Sequence, residues 1–301
     1  MSREEDTIDG TVTVNSYEEN NDSAKSKETI LPIKLAVAKY ATHYNMNHPK
    51  RGKCVIFNHD EYDGEAPVRN GAAADVENIQ RTFGTLLGFT VVPRWNKTMT
   101  EINTEIEKLS KEDHTDSDCL CVFIMTHGYS NGMLLARDWP YYLDSVWQQF
   151  TGDKCPTLVG KPKLFFIQAC RGSEVDNGIG VFSGGDNDTE VDSCVSAVYK
   201  IPTHADILIG HSSVDGYYSY RHPQNGSFYI VWLCKIIENF WETQDLMEMM
   251  TSTARAVAVY CVTNIKDPTK NNKKQMPSIT STLIRKLCFT RKKSNDGQDQ
   301  S

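Results

Sequence analysis

The sequence predicts an α/β protein built on a mostly parallel sheet with helices on both faces. Short, almost uninterrupted apolar runs alternate with stretches of helical periodicity along most of the 301 residues. The runs lack the every-other-residue polar pattern of a half-exposed strand, as expected where both faces of a strand are covered. With 39% hydrophobic and 24% charged residues, the chain has ordinary globular composition and enough apolar material for a sizeable core.

Taken in order, residues 1–30 read as a short disordered acidic segment: eight acidic and three basic residues with few large apolar ones. Order is expected to begin near Lys34–Tyr44. Lys53–Asn58 is a first strand, followed by a polar loop from Asp60 to Asn70. Val76, Ile79, Phe83 and Leu86/Leu87 share one face of a helix over Ala72–Leu87. Gly88–Val92 reads as a second strand, and Thr100–Lys111 as an amphipathic helix with Ile102, Ile106 and Leu109 on its stripe. Cys119–Met125 is a third, buried strand that ends at Thr126-His127-Gly128. Leu143–Thr151 is a short helix, and Lys163–Gln168 the next strand.

Residues 173–199 break the alternation, with clustered glycines (Gly178, Gly180, Gly184, Gly185), six acidic residues and no basic one. A structureless loop this long inside a domain is either functional or wrongly assigned. Alternation resumes with a strand at His204–Gly210 and apolar helices over Asn225–Trp241 and Asp245–Val262. A last strand is expected over Ser278–Thr290, before a polar tail at 291–301.

A net charge of −7 argues against a nucleic-acid partner, which would call for a basic surface. No apolar run resembles a signal peptide or membrane span, so a reducing, cytoplasmic location is expected and no membrane association. Nine cysteines without paired spacing do not suggest disulfides in such a compartment. Cys119-Leu120-Cys121 has the wrong spacing for a zinc site, and neither metal nor cofactor is expected.

Two strands end in reactive residues. Cys170 closes the run Phe165-Phe166-Ile167-Gln168-Ala169-Cys170-Arg171-Gly172, and His127-Gly128 follows the preceding long strand. Alone, Cys170 is most simply a core thiol, since cysteine is among the most buried residue types. If the two strands are neighbours, however, thiol and imidazole emerge at the same edge, where open α/β sheets place their sites. A thiol beside a histidine is the minimal cysteine nucleophile. The backbone N–H groups of Gly128 and Cys170 are candidate donors to an oxyanion.

These residues resemble the caspases, and among them the executioner caspases of the insect type, over roughly residues 34–290. The resemblance is carried by Arg51–Asn58, Arg69-Asn70-Gly71 with Asp75-Val76, Thr126-His127-Gly128, Lys161–Gly172, Gly216–Arg221 and Lys274-Gln275-Met276-Pro277. Gln168-Ala169-Cys170-Arg171-Gly172 is the most specific stretch, with His127 43 residues upstream, close to the family's roughly 50. The resemblance implies a three-layer sandwich around an approximately six-stranded, mostly parallel sheet. It also implies a cysteine endopeptidase cleaving proteins after aspartate, with His127 and Cys170 catalytic. Arg69, Gln168 and Arg221 would bind the substrate aspartate, since arginine grips a carboxylate with two parallel hydrogen bonds. Tyr218 and Tyr220 would wall the next pocket, and Ser219 and Arg221 would pair with an extended substrate as an added strand.

Thr189-Glu190-Val191-Asp192 then reads as a cleavage site between a large subunit (31–192) and a small one (193–301), with Asp22 favoured over Asp9 for prosegment removal. An upstream initiator caspase, inhibitor-of-apoptosis proteins and a second copy of the chain are the implied partners, the homodimer forming along the last strand. Cleavage would make it a heterotetramer of two large and two small subunits. The sequence departs from executioner caspases at Thr126-His127-Gly128-Tyr129, at Tyr220, at Arg221-His222-Pro223, and in Thr263–Lys274, which lacks aromatic residues. These departures bear on the preference four residues before the cut.

Three rivals remain at this point. A metacaspase- or gingipain-like peptidase cutting after basic residues would need carboxylates where two arginines stand. A silent caspase homologue acting by binding active partners would have lost some of the catalytic set. A nucleotide-binding doubly wound domain would carry a Gly-rich phosphate loop, which this sequence lacks.

Overall fold

The computed structural model describes residues 37–177 and 202–292, apart from 223 and 265. The acidic segment 1–30 with Asp22, the part of the acidic loop that holds Asp192, and the end of the polar tail lie outside the described residues.

Six strands form the central sheet: β1 (Lys53–Asn58), β2 (Thr90–Trp95), β3 (Leu120–Met125), β6 (Lys163–Gln168), β7 (Ile207–His211) and β10 (Ser278–Ser281). Their order is β10-β7-β6-β3-β1-β2, with only β10 antiparallel to its neighbour. β3 and β6 are buried at every residue, which is why their sequences carry no polar alternation.

Alternate strand residues feed two cores. On one face Phe123, Phe166 and Leu208 pack with α1 (Ala72–Ile79), α4 (Phe228–Phe240) and α5 (Leu246–Tyr260). On the other, Val122, Ile124 and Phe165 pack with α2 (Met99–Lys111) and α3 (Asp144–Trp147). The three-layer sandwich is therefore present. α2 begins at a capping box in which Thr98 and Glu101 satisfy each other's backbone N–H, one residue before the expected start.

Several boundaries differ from expectation for physical reasons. The helix expected over Ala72–Leu87 is α-helical only to Ile79 and continues as a π-helix from Gln80 to Leu86. The second strand runs to Trp95, because Pro93 occupies an edge strand, where a missing N–H costs no ladder bond. α4 starts at Phe228 rather than Asn225, since Gly226-Ser227 forms β9 and pairs with β8 (Arg221–His222). A further hairpin, β4 (Met133–Leu135) with β5 (Pro140–Tyr142), is too short to leave a periodic signature.

The last strand is the main correction. Ser278–Thr290 does not form a long apolar edge: β10 ends at Ser281. Beyond it Leu287 and Phe289 are buried in the core with Tyr44 and Met46, and the Ile284 N–H donates to the Tyr44 hydroxyl at 3.1 Å. The apolar residues that suggested an edge strand leave the sheet to close the core.

Burial pushes the imidazoles of His59, at the end of β1, and His211, at the end of β7, down to about 4. Between pH 6.5 and about 4 the unfolded chain therefore binds protons that the fold does not, so stability falls as pH falls through that window. The urea midpoint of an inactive Cys170→Ala protein should drop steadily from pH 6.5 to 4, and His211→Asn should make the drop shallower. A midpoint independent of pH in this range would contradict the burial of these rings.

Candidate active site

The parallel register of β3 and β6 sets the site. Met125 lies opposite Gln168, and the Thr126 N–H still donates to the Gln168 carbonyl at 3.1 Å. His127 and Cys170 each come two residues after that matched pair, so both leave the sheet together at its carboxyl edge. Gly128 is required by this proximity: a Cβ there would sit 2.3 Å from the Cys170 carbonyl oxygen and 2.9 Å from the Ala169 side chain. Gly128 also faces Leu134 across a pair held by its neighbours' hydrogen bonds, Tyr129 N–H to Met133 and Leu135 N–H to His127. Its own N–H therefore points away from β4. Neither that N–H nor the Cys170 N–H has an acceptor among the described residues.

His127 is fixed by its ring and its backbone. Nε2 donates to the Pro67 carbonyl at 2.7 Å. Because a carbonyl can only accept, the neutral ring carries its proton on Nε2 and leaves Nδ1 as the basic nitrogen. The Tyr62 ring packs 5.0 Å from the imidazole, and the Tyr62 hydroxyl meets the His127 N–H at 3.3 Å and Thr126 Oγ1 at 3.0 Å. Partial burial, and then the positive charges of Arg69 and Arg221, hold the imidazole below its ordinary value, against the Pro67 bond that raises it.

Cys170 is half-exposed, with Sγ 3.8 Å from the Ser219 carbonyl and 3.9 Å from its hydroxyl. No hydrogen bond joins it to His127. Six of the other described cysteines are buried, and Cys288, far along the chain, is half-exposed as Cys170 is. Cys119, Cys121 and Cys234 are fully buried, and burial pushes their thiols up, that of Cys234 to about 12. Such thiols do not ionise near neutrality, so the core-thiol reading fits them and not Cys170.

Beside Cys170 lies a pocket of two guanidiniums that make no ion pair among the described residues, although the buried Asp75 carboxylate acts on both from beyond pairing distance. Arg69 is 1% exposed; its Nη1 donates to the His59 and Met125 carbonyls at 2.6 and 2.9 Å, and its Nη2 has no partner. Burial, and then Arg221, push its guanidinium down to about 10. Arg221 spends Nε on the Asn70 carbonyl at 2.6 Å and makes no ion pair among the described residues. Gln168, buried at the end of β6, donates to Ser219 Oγ at 3.0 Å, and its Oε1 is unpartnered. Asp75 spends its carboxylate on the Ser227 N–H and hydroxyl, so the guanidiniums lack a direct partner, and a bound anion would relieve that cost. Arg171, although in the same motif, turns away to Asp215 and Ser278.

Residues 218–221 form an extended rim. The Tyr220 N–H donates to Gln275 Oε1 at 2.7 Å and its carbonyl accepts from the Phe228 N–H at 3.2 Å. The backbone groups of Ser219 and Arg221 therefore face the opposite edge, open to an added strand. Tyr218 and Tyr220 are half-buried with ring centroids 6.4 Å apart, so neither is a core residue. The structure thus gathers His127, Gly128, Cys170, Arg69, Gln168, Ser219 and Arg221 around one edge, with Tyr218 and Tyr220 on the other face of the rim.

Sequence reasoning missed the supports. Gln275 bridges the Tyr220 N–H and the Ser212 carbonyl, and Ser212 Oγ donates to the Ala169 carbonyl at 3.0 Å. Lys274–Pro277 was a visible matching stretch, but nothing in it announced a bridge. The Pro67 carbonyl left no signal at all, since every residue has one.

A family model for the caspase domain matches residues 51–288. Caspase-1 of Spodoptera frugiperda is 39% identical over 295 residues, covering 96% of each chain. Caspase-1 of Drosophila melanogaster is 40% identical, covering 85% of this chain and 78% of its own. Caspase-7 of Gallus gallus is 37% identical, covering 82% and 79%. The crystal structure of the Spodoptera caspase-1 superposes with a TM-score of 0.78 at 40% identity, over 85% of this chain and 98% of the other. With the fold, the thiol and imidazole at one edge, and this similarity along most of its length, the chain belongs to the caspase family of aspartate-specific cysteine peptidases.

Proposed function

We propose that the chain is an executioner-type endopeptidase acting in apoptosis in the cytoplasm, with Cys170 as nucleophile and His127 as general acid and base. The observation that carries the specificity is Arg69: a buried guanidinium with an unpartnered Nη2, beside Arg221 and next to the half-exposed thiol. The substrate aspartate supplies a carboxylate that pairs with them directly. A pocket for a basic side chain would need the reverse charge.

In the proposed reaction, Cys170 Sγ attacks the scissile carbonyl carbon as Nδ1 of His127 takes the thiol proton. The carbonyl oxygen becomes an oxyanion held by the Gly128 and Cys170 N–H groups. The C–N bond then breaks, and Nδ1 returns the proton to the departing amine. Water, deprotonated by the same nitrogen, hydrolyses the thioester and restores the thiol. The tether to Pro67 keeps Nδ1 turned to this task.

The finer reading extends to a zymogen. Cleavage after Asp192 would separate large and small subunits, and removal after Asp22 would free the acidic prosegment. An initiator caspase would make the first cut, inhibitor-of-apoptosis proteins would restrain the product, and two copies would pair along the β10 edge. That edge has four residues, so side chains beyond it would supply much of the contact. A silent homologue that binds active caspases is the weaker reading, since thiol, imidazole and both arginines are in place.

Purified chain incubated alone and followed by intact-mass spectrometry tests the assignment. Products ending at Asp192 should accumulate, and Cys170→Ala should abolish them; persistence in that variant would remove Cys170 from its role. His127 in Cys170→Ala, titrated by NMR, should show a midpoint below 6.5, so that the ring is neutral at pH 7. A midpoint above 6.5 would contradict the burial and the two neighbouring cations.

A further inference from the structure

The rim at 218–221 sorts its side chains by the period of an extended chain. Gln168 and Cys170 both contact Ser219, and Arg221 reaches across to the Asn70 carbonyl, so these two residues face the thiol and the anion pocket. Tyr218 and Tyr220 face the other way, and Tyr220 continues to Phe228 with centroids 6.5 Å apart. A substrate strand paired along this rim alternates in the same way. Its aspartate enters the Arg69–Arg221 pocket, and the side chain immediately before it points to the tyrosine side.

That side carries a positive charge at Tyr218, while the Asp176 carboxylate acts on Tyr220 at its other end. Lys270 Nζ stands 5.2 Å from the Tyr218 ring centroid. It is held there by a closed loop and not by a tether on its own ammonium. The Thr263 N–H donates to the Lys273 carbonyl at 3.0 Å and the Asn272 N–H to the Thr263 carbonyl at 2.8 Å. Thr263 Oγ1 donates to the Lys270 carbonyl at 2.6 Å, and the Lys270 N–H donates to the Asp267 carbonyl at 3.1 Å. Asp267, the loop's carboxylate, is occupied by the N–H and hydroxyl of Thr269 at 2.9 and 2.7 Å. Lys273 and Lys274 are spent on Asn177 Oδ1 and the Val259 carbonyl. The Lys270 ammonium has neither a hydrogen bond nor an ion pair among the described residues.

We infer that Lys270 makes the tyrosine side of the rim select an acidic side chain in the substrate residue immediately before the aspartate. The inference rests on the peptidase reading and deepens it. A glutamate at that position lays its methylenes on the Tyr218 ring and brings its carboxylate to the ammonium. The residue before Asp192 in this chain is Val191, so its own linker is not the sequence this rim prefers.

The test uses the mature wild-type enzyme and matched peptides that end in aspartate before the cut and differ only in the preceding residue: glutamate, glutamine or lysine. Wild type should prefer glutamate over glutamine by about three- to fivefold in kcat/KM, the range of an exposed ion pair, and the preference should shrink as salt rises. Lys270→Ala should bring the ratio close to one, Lys270→Arg should keep it, and Lys270→Glu should favour the lysine peptide. A purely structural role under Tyr218 would slow all three peptides alike. A wild-type ratio near one, or one unchanged in Lys270→Ala, overturns the inference while leaving the peptidase intact. Failure to cleave any aspartyl peptide removes the peptidase reading, and this inference with it.

Discussion

The site depends on how closely two parallel strands can bring their ends together. β3 and β6 run in register to Met125 and Gln168, and beyond that the two chains touch backbone to backbone. Gly128 has room for a hydrogen and not for a methyl against the Cys170 carbonyl. This one approach places the imidazole, the thiol and two unpaired N–H groups on the same edge. Each group alone is ordinary. Their convergence follows from the register, which in turn follows from burying both faces of both strands.

The second constraint is electrostatic. Arg69 is nearly out of reach of solvent, tied to carbonyls at the ends of β1 and β3, and shares its surroundings with Arg221. The fold holds two cations whose buried carboxylate neighbour, Asp75, is bonded to Ser227 and not to them, and a substrate aspartate would pair with them directly. The same cations help keep His127 neutral, so the charge that reads the substrate also sets the protonation of the base. Gln275 links the halves, holding Tyr220 and, through Ser212, the Ala169 backbone beside the nucleophile.

Much of this was legible in the sequence, and the limits are physical. The long strands and helices declared themselves because each buries a continuous face, as at Leu120–Met125 and at Ile102, Ile106 and Leu109. His127, Cys170 and the two arginines were readable because their chemistry is specific to residue type and their motifs matched a known family. The N–H donors at Gly128 and Cys170 were readable too, but the contacts that fix them were not. The Pro67 carbonyl that orients His127 and the steric need for Gly128 depend on where strands end in space. The last strand was overextended for a related reason: Leu287 and Phe289 have the pattern of a strand but are buried as a core plug. Asp22 and Asp192 lie outside the described residues, so the zymogen reading rests on sequence and resemblance.

The central claim is that a pair of arginines without a direct ion pair reads a carboxylate beside a reactive thiol. The most direct measurement is kcat/KM of the mature enzyme on peptides identical except for aspartate, asparagine or arginine before the scissile bond. The account predicts that aspartate exceeds asparagine by at least about a hundredfold and that the arginine peptide is not cut, because the pocket's cations would be left unpaired. Comparable cleavage of the asparagine or arginine peptide would contradict it.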